Sequence, residues 1–270
     1  ALLAVLLFSI NDATIKFLSG GYALHEVVLI RSLIGFVIIV ALIAPMTNGW
    51  AIMRTRRLGM HLLRGLLVVA ANMLFFLGLA AMPLAEAVAI FFVSPLIITV
   101  FSVIFLGEKV GPRRWTAIVV GFIGVLIMMR PGTETFRIAS LLPLIAALCY
   151  AGLHMMTRLI GRTESAATMA FYIQIAFIFV SGAMGLVFGD GRFAVQSDPS
   201  LEFLLRAWVW LDPADIGLFL LLGICTGIGG YLISQAYRVA QAAVIAPLEY
   251  IALPMSVLFG VLVFGEWPDA

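Results

Sequence analysis

The chain has 270 residues, of which 63% are hydrophobic and only 11% charged, with a net charge of +2. No water-soluble domain of this length covers so much apolar surface with so few charges, so the composition requires a polytopic membrane protein. The small net charge, spread in short clusters, excludes a nucleic-acid footprint, and the two isolated cysteines, Cys149 and Cys225, support neither a metal site nor a disulfide framework.

A membrane helix needs about 20 largely apolar residues. Nine segments meet that requirement, at 1–18, 26–44, 61–81, 84–106, 115–130, 138–157, 166–188, 215–237 and 242–264. Their length and continuity predict helices rather than barrel strands, which alternate over about ten residues. The chain opens on Ala and stops at FGEWPDA, and both ends are expected to be trimmed. Arg54, Arg56, Arg57, Arg64, Lys109, Arg113, Arg114, Arg158, Arg162 and Arg238 all fall after even-numbered spans, whereas Asp190, Asp198, Glu202, Asp212 and Asp215 fall on the other side. The positive-inside rule then predicts an inner-membrane protein whose first visible residue is cytoplasmic.

The first span, ALLAVLLFSINDATIKFL, carries three strongly polar residues. At 100° per residue, Ser9, Asp12 and Lys16 fall within about 60° of one another, with Asn11 off that stripe. Asp12 precedes Lys16 by four residues, the favourable order for a helical ion pair. The second span places Arg31 at roughly the depth of Asp12, about 8–10 Å. Asp12 is therefore read either as bridged to Arg31 across the hairpin or as a cavity carboxylate for a cationic group or proton. HEVVL (25–29) starts like a zinc-binding HExxH, but Leu29 stands where the second ligand belongs, so no metal is expected.

Asn72 is an amide in mid-span three, Glu86 stands at the mouth of span four, and Ser94-Pro95 interrupts that span. In the sixth, Tyr150 lies one turn from His154 on the same face, and Gln174 occupies the seventh. In the connection 189–214, Asp198 and Ser200 are expected to cap a short surface helix with Leu201, Leu204, Leu205 and Trp208 on its apolar face. Span eight offers Tyr231, Ser234 and Gln235, with Gly227, Gly229 and Gly230 for close packing or a hinge. Span nine holds APLEYIALP, where Pro247 and Pro254 disrupt the helix around Glu249. That carboxyl is read as a substrate-ammonium or proton site, or as a buried structural acid.

The stretch 79–108 is similar to 235–266: Ala80 aligns with Ala236, Ala87 with Ala243, and Gly107-Glu108 with Gly265-Glu266, the offset drifting from 156 to 158. A second match sets IKFL (15–18) against TRLI (157–160) at an offset of 142, which places His154 opposite Asp12; an offset of 141 places Tyr172 opposite Arg31. Five spans separate the copies, an odd number, so the repeats are inverted, as in secondary transporters. With NDATIKFL, HEVVLIRSL and the two alanine-rich, proline-interrupted helices ending in Gly-Glu, the chain resembles the EamA-type drug/metabolite transporter superfamily. The resemblance implies two five-helix halves, at 1–131 and 138–270, with a tenth helix beyond EWPDA, and export or uptake of small organic metabolites.

The expected fold class is thus an all-α polytopic membrane protein with two inverted five-helix repeats. The expected function is secondary active transport by alternating access, with a channel or an intramembrane enzyme as the alternatives. The candidate substrate-binding or coupling residues are Asp12, Arg31, Asn72, Tyr150, His154, Tyr231, Gln235 and Glu249, and Glu108 and Glu266 read as caps or gates. The cavity is expected among the first, third, fourth, sixth, eighth and ninth spans. Acids and aromatics together suggest a small zwitterionic or cationic substrate with a planar part, such as an amino acid or a nucleoside-like cofactor. No cofactor is expected, and a coupling proton or cation is a further expected partner.

Overall fold

The computed structural model describes the chain except for residues 48, 110, 113, 114, 117, 118, 121, 122, 124–137, 195–197 and 268–270. Its elements are helices throughout: α1 (Leu2–Leu18), α2 (Leu24–Met46), α3 (Leu58–Ala81), α4 (Leu84–Leu106), α5 (Leu141–Ile160), α6 (Ala166–Phe188), α7 (Pro199–Leu205), α8 (Ile216–Val239) and α9 (Ala246–Phe264). Seven of them are long and apolar enough to cross a membrane, and α1 falls just short with 17 residues. Eight of the nine expected spans are therefore helices; the fifth, at 115–130, lies mostly outside the described residues. The outer surface of the bundle is apolar, with Leu62, Leu66, Phe179, Leu186 and Leu262 more than half exposed. Such a surface is stable only against lipid.

The bundle has one basic face, where Arg158 and Arg238 meet, and one acidic face covered by the connection between α6 and α8. In that connection Asp198 caps α7 by accepting from Leu201 N at 3.0 Å. Ser200 does not cap; its hydroxyl donates to the Leu77 carbonyl of α3 at 2.6 Å. The inward side of α7 carries Phe203, which is buried, whereas Leu201 and Trp208 are largely exposed. The helix stops at Leu205, too early to carry Trp208 on its face, and the freed indole stacks on His25 instead, with 5.8 Å between ring centroids. Tyr22 donates to Asp215 at 2.7 Å, which ties the connection to the α1–α2 turn.

Two breaks shape the interior. In α4 the helix is interrupted at Phe92-Val93, and Pro95 starts the second half, Ser94–Leu106. In α9 the first turns, Ala246–Ile251, wind as a 3-10 helix around Pro247. Both helices end alike: Gly107 and Gly265 adopt φ of 64° and 67°, a left-handed cap that only glycine takes without strain. The following amides, Glu108 N and Glu266 N, reach back to Ser102 O at 3.1 Å and Gly260 O at 2.9 Å. Each glutamate thus leaves its helix through the same local cap geometry.

Close approach of α2 and α8 depends on glycine. A Cβ on Gly227 would lie 3.1 Å from the Gly35 carbonyl, and one on Gly223 would overlap the Ile34 side chain. Gly230, by contrast, has no atom within 4 Å of such a Cβ and opens onto the cavity described below. Gly223→Ala is therefore expected to lower the thermal unfolding midpoint in detergent, at a cost of about 1–3 kcal/mol from overpacking. Gly230→Ala should leave that midpoint unchanged.

Candidate functional site

The helices enclose a central cavity of about 160 Å³. Its wall comes from α1 (Phe8, Asn11, Asp12), α2 (Arg31), α3 (Arg64, Asn72, Phe75), α4 (Phe91), α5 (Tyr150, His154, Thr157), α6 (Gln174, Phe177) and α8 (Thr226, Gly230, Ser234). Helices α2 and α6 therefore join the expected lining, and α9 contributes no side chain to it. The rings form a nearly continuous aromatic wall: Phe75 to Phe91 at 4.9 Å, Phe91 to Tyr150 at 5.1 Å, and Tyr150 to His154 at 4.2 Å.

Asp12 and Arg31 form no ion pair. Arg31 donates Nη1 to Asn11 Oδ1 at 3.0 Å and Nη2 to Asn72 Oδ1, and its guanidinium lies over Phe76 and Phe177 at 5.4 and 5.3 Å from the ring centroids. Asn11 then donates its Nδ2 to Asp12 Oδ1 at 3.1 Å. An amide thus separates the acid from the base, because Asn11 lies between α1 and α2 while Asp12 points past α2 into the cavity. Arg64, two turns inside α3, is buried and donates to Thr157 Oγ1 at 3.1 Å and to the Met169 carbonyl at 3.4 Å. Both arginines are held by neutral acceptors, and Asp12 is the acid that shares the wall with them. Several buried polar atoms of the wall have no hydrogen-bond partner: Arg31 Nε, Gln174 Oε1 and both ring nitrogens of His154. Buried polar groups are rarely left so, and these give the wall unused hydrogen-bonding capacity.

The cavity lies between two ion-paired joints, one at each end of the bundle. At the acidic face Lys16 Nζ donates to Glu266 Oε1 at 2.6 Å and to the Met82 carbonyl at 3.2 Å, and Glu266 Oε2 accepts from Leu84 N at 3.0 Å. At the basic face Arg158 Nε lies 3.8 Å from Glu108 Oε1, and its Nη1 donates to the Arg238 carbonyl at 3.1 Å. The sequence offsets match the two joints residue by residue: Lys16 with Arg158 at 142, Met82 with Arg238 at 156, and Glu266 with Glu108 at 158. In each joint the base and the carbonyl belong to one copy of the repeated sequence and the acid to the other.

Residues 1–130 match the EamA-like transporter family. Over 99% of its length the chain is 31% identical to a riboflavin transporter of Vibrio cholerae, of which it covers 84%. The chain belongs to the EamA-like transporter family. Another relative of this EamA-family protein is an S-adenosylmethionine uptake transporter of Rickettsia prowazekii, 26% identical over 99% of the chain and 84% of the relative. A solved crystal structure superposes with a TM-score of 0.72 at 21% identity, covering 99% of this chain and 88% of that one, and it shares the helical fold. The protein is accordingly a multi-pass membrane transporter of small metabolites and not an enzyme.

Of the residues singled out in the sequence, Asp12, Arg31, Asn72, Tyr150 and His154 converge on the cavity of this EamA-family transporter. Tyr231 packs instead beside Phe171 and Met169, Gln235 accepts from Arg238 at 3.5 Å, and Glu249 lies behind the wall under Tyr237. Tyr172, the match of Arg31, donates to the Met53 carbonyl at 2.9 Å and stacks on His61, away from the cavity. Several cavity residues escaped the sequence reading, and two of them hold the polar network. Asn11 was off the polar stripe of α1, yet α2 packs on that second side. Arg64 counted among the loop bases, although the apolar residues flanking it in HLLRGLL are a signal that it lies within the span.

Proposed function

We propose that this protein is a secondary active transporter that carries a planar, nucleoside-like metabolite across the inner membrane by alternating access. Its two halves, 1–131 and 138–270, act as inverted repeats, with the first visible residue in the cytoplasm. The observation that carries this reading is the central cavity set between two joints of matched construction. A pseudo-twofold exchange of the halves turns one joint into the other, so opening one while closing the other switches access without new kinds of contact. The acidic-face joint is the tighter, at 2.6 Å against 3.8 Å, which corresponds to a cavity shut toward that face.

Among the substrate classes expected from the sequence, the nucleoside-like one fits best. The aromatic wall offers faces for a ring system, and the unpartnered donors and acceptors offer an edge-on hydrogen-bonding surface. The named substrates of the two relatives, riboflavin and S-adenosylmethionine, both contain such a ring. Counterflow in proteoliposomes tests the reading: preloaded with unlabelled riboflavin or S-adenosylmethionine, vesicles should accumulate the labelled compound saturably. Flux without saturation would favour a channel, and no exchange with either compound would overturn the substrate class. Tyr150→Ala should raise the half-saturating concentration about tenfold, since one aromatic stacking contact is worth about 1–1.5 kcal/mol.

A further inference from the structure

Glu249 stands one layer behind the cavity. Its side chain is buried, and its Oε1 accepts a 2.5 Å hydrogen bond from the hydroxyl of Tyr237, itself completely buried. The Tyr150 hydroxyl faces the same carboxyl. The Tyr237 ring stacks on His154 with 3.8 Å between centroids, and Tyr150 meets His154 edge-on. Tyr150 and His154 line the cavity, whereas Glu249 and Tyr237 do not. A short chain of polar side chains therefore runs from the cavity wall to a hidden carboxyl.

That carboxyl has no cation against it. Among the described residues, the ion pairs engage Glu266, Glu164, Glu108, Asp190 and Glu202, and none engages Glu249. The groups facing it are hydroxyls: Tyr237 from α8, Tyr150 from α5 and, on its own segment, Tyr250. His154 stands beyond the two tyrosines with both ring nitrogens unpartnered, and Asp12 of α1 adds a second negative group on the far side of Tyr150. A carboxylate so placed in a membrane protein lacks both water and a counter-ion, whereas the neutral acid is compatible with these partners.

The placement also breaks the internal symmetry. Offsets of 156 to 158 set Glu249 against residues 91–93 of α4, which are Phe91, Phe92 and Val93. Only the second copy carries an acid here, and it sits in the 3-10 turns after Pro247, where the backbone can rewind.

We propose that Glu249 is the binding site of a coupling proton, distinct from the substrate cavity, with Tyr237, Tyr150 and His154 relaying its occupancy to the cavity wall. In the cycle, the Glu249 carboxylate takes one proton from water at the open face and returns it to water at the other, and no further bond changes. The neutral acid keeps the Tyr237 hydrogen bond and leaves the tyrosines packed against His154. The carboxylate draws both hydroxyls toward itself and so reshapes the wall. This rests on the transporter reading above.

Two measurements on the full chain in lipid test it. In infrared difference spectra between high and low pH, the wild type should show a protonated-carboxyl band that Glu249→Gln lacks; superimposable spectra would overturn the proposal whatever the substrate. In proteoliposomes with a pH gradient, wild type should accumulate labelled riboflavin or S-adenosylmethionine. Glu249→Gln, which preserves the acceptor for Tyr237, should lose at least about tenfold of that accumulation while its counterflow stays within about twofold. Gradient-driven accumulation equal to wild type in Glu249→Gln would refute the proton site but leave the transporter intact. Absence of counterflow in wild type would instead overturn the substrate class proposed above and leave the infrared result to decide the proton site.

Discussion

Exchanging the charges of Lys16 and Glu266 is expected to restore part of the transport that either single reversal removes. In Lys16→Glu or Glu266→Lys two like charges meet where the native pair lies at 2.6 Å; the first also takes the donor from the Met82 carbonyl, and the second the acceptor from the Leu84 amide. The joint is partly hydrated, with side chains 12% and 29% exposed, so the native pair is worth only about 1 kcal/mol. That is suitable for a gate: a contact of several kcal/mol would hold one state almost exclusively, whereas about 1.4 kcal/mol changes the ratio of states tenfold. Each single reversal should therefore depress counterflow by about tenfold or more, since like-charge repulsion adds to the lost attraction. The double exchange should recover the part lost to charge repulsion, while the Met82 carbonyl and Leu84 amide stay unpaired in it. The same pattern is expected for Arg158→Glu, Glu108→Arg and their combination at the basic face. Failure of both double exchanges, with protein folded and in the membrane, would remove the joints from the mechanism.

Arg31→Met is expected to be the most damaging substitution in the cavity. It leaves Asn11 Oδ1 and Asn72 Oδ1 without their donor and empties the space between Phe76 and Phe177. Each buried acceptor left unpaired costs about 1–3 kcal/mol, so a total loss of about 3–5 kcal/mol should appear as a much lower thermal midpoint, with transport abolished. Asp12→Asn should cost less than about 1 kcal/mol, because its hydrogen-bond partner is a single amide and not the arginine. Pairing Asp12→Arg with Arg31→Asp should not rescue folding: a carboxylate at position 31 would face two aromatic rings whose π-electrons repel it. Rescue by that exchange would instead mean that Asp12 and Arg31 bridge directly in another state.

The spans were legible because lipid imposes one rule on every residue of a crossing helix. The eight described spans begin and end within a few residues of the hydropathy boundaries. The internal match was also legible, and it foresaw the common fate of Gly107-Glu108 and Gly265-Glu266, since a glycine cap is a local backbone requirement. The partners of the intramembrane charges were not. Depth along two helices suggested Asp12 with Arg31, but depth fixes only one coordinate; the rotation of α1 puts Asn11 against α2 instead. Lys16 was read with Asp12 four residues away, while its partner Glu266 lies 250 residues along the chain.

By itself the sequence determined that this chain crosses a membrane repeatedly, carries two similar stretches at 79–108 and 235–266 and keeps polar residues at mid-depth. Composition, period and self-similarity are properties of the chain and survive any packing. Only the tertiary structure decided that Arg31 rests on amides, that Glu249 stands behind the wall, and that Lys16 and Arg158 each reach an acid of the other copy. Those choices depend on how each helix rotates about its axis against its neighbours, and packing of facing surfaces fixes that rotation.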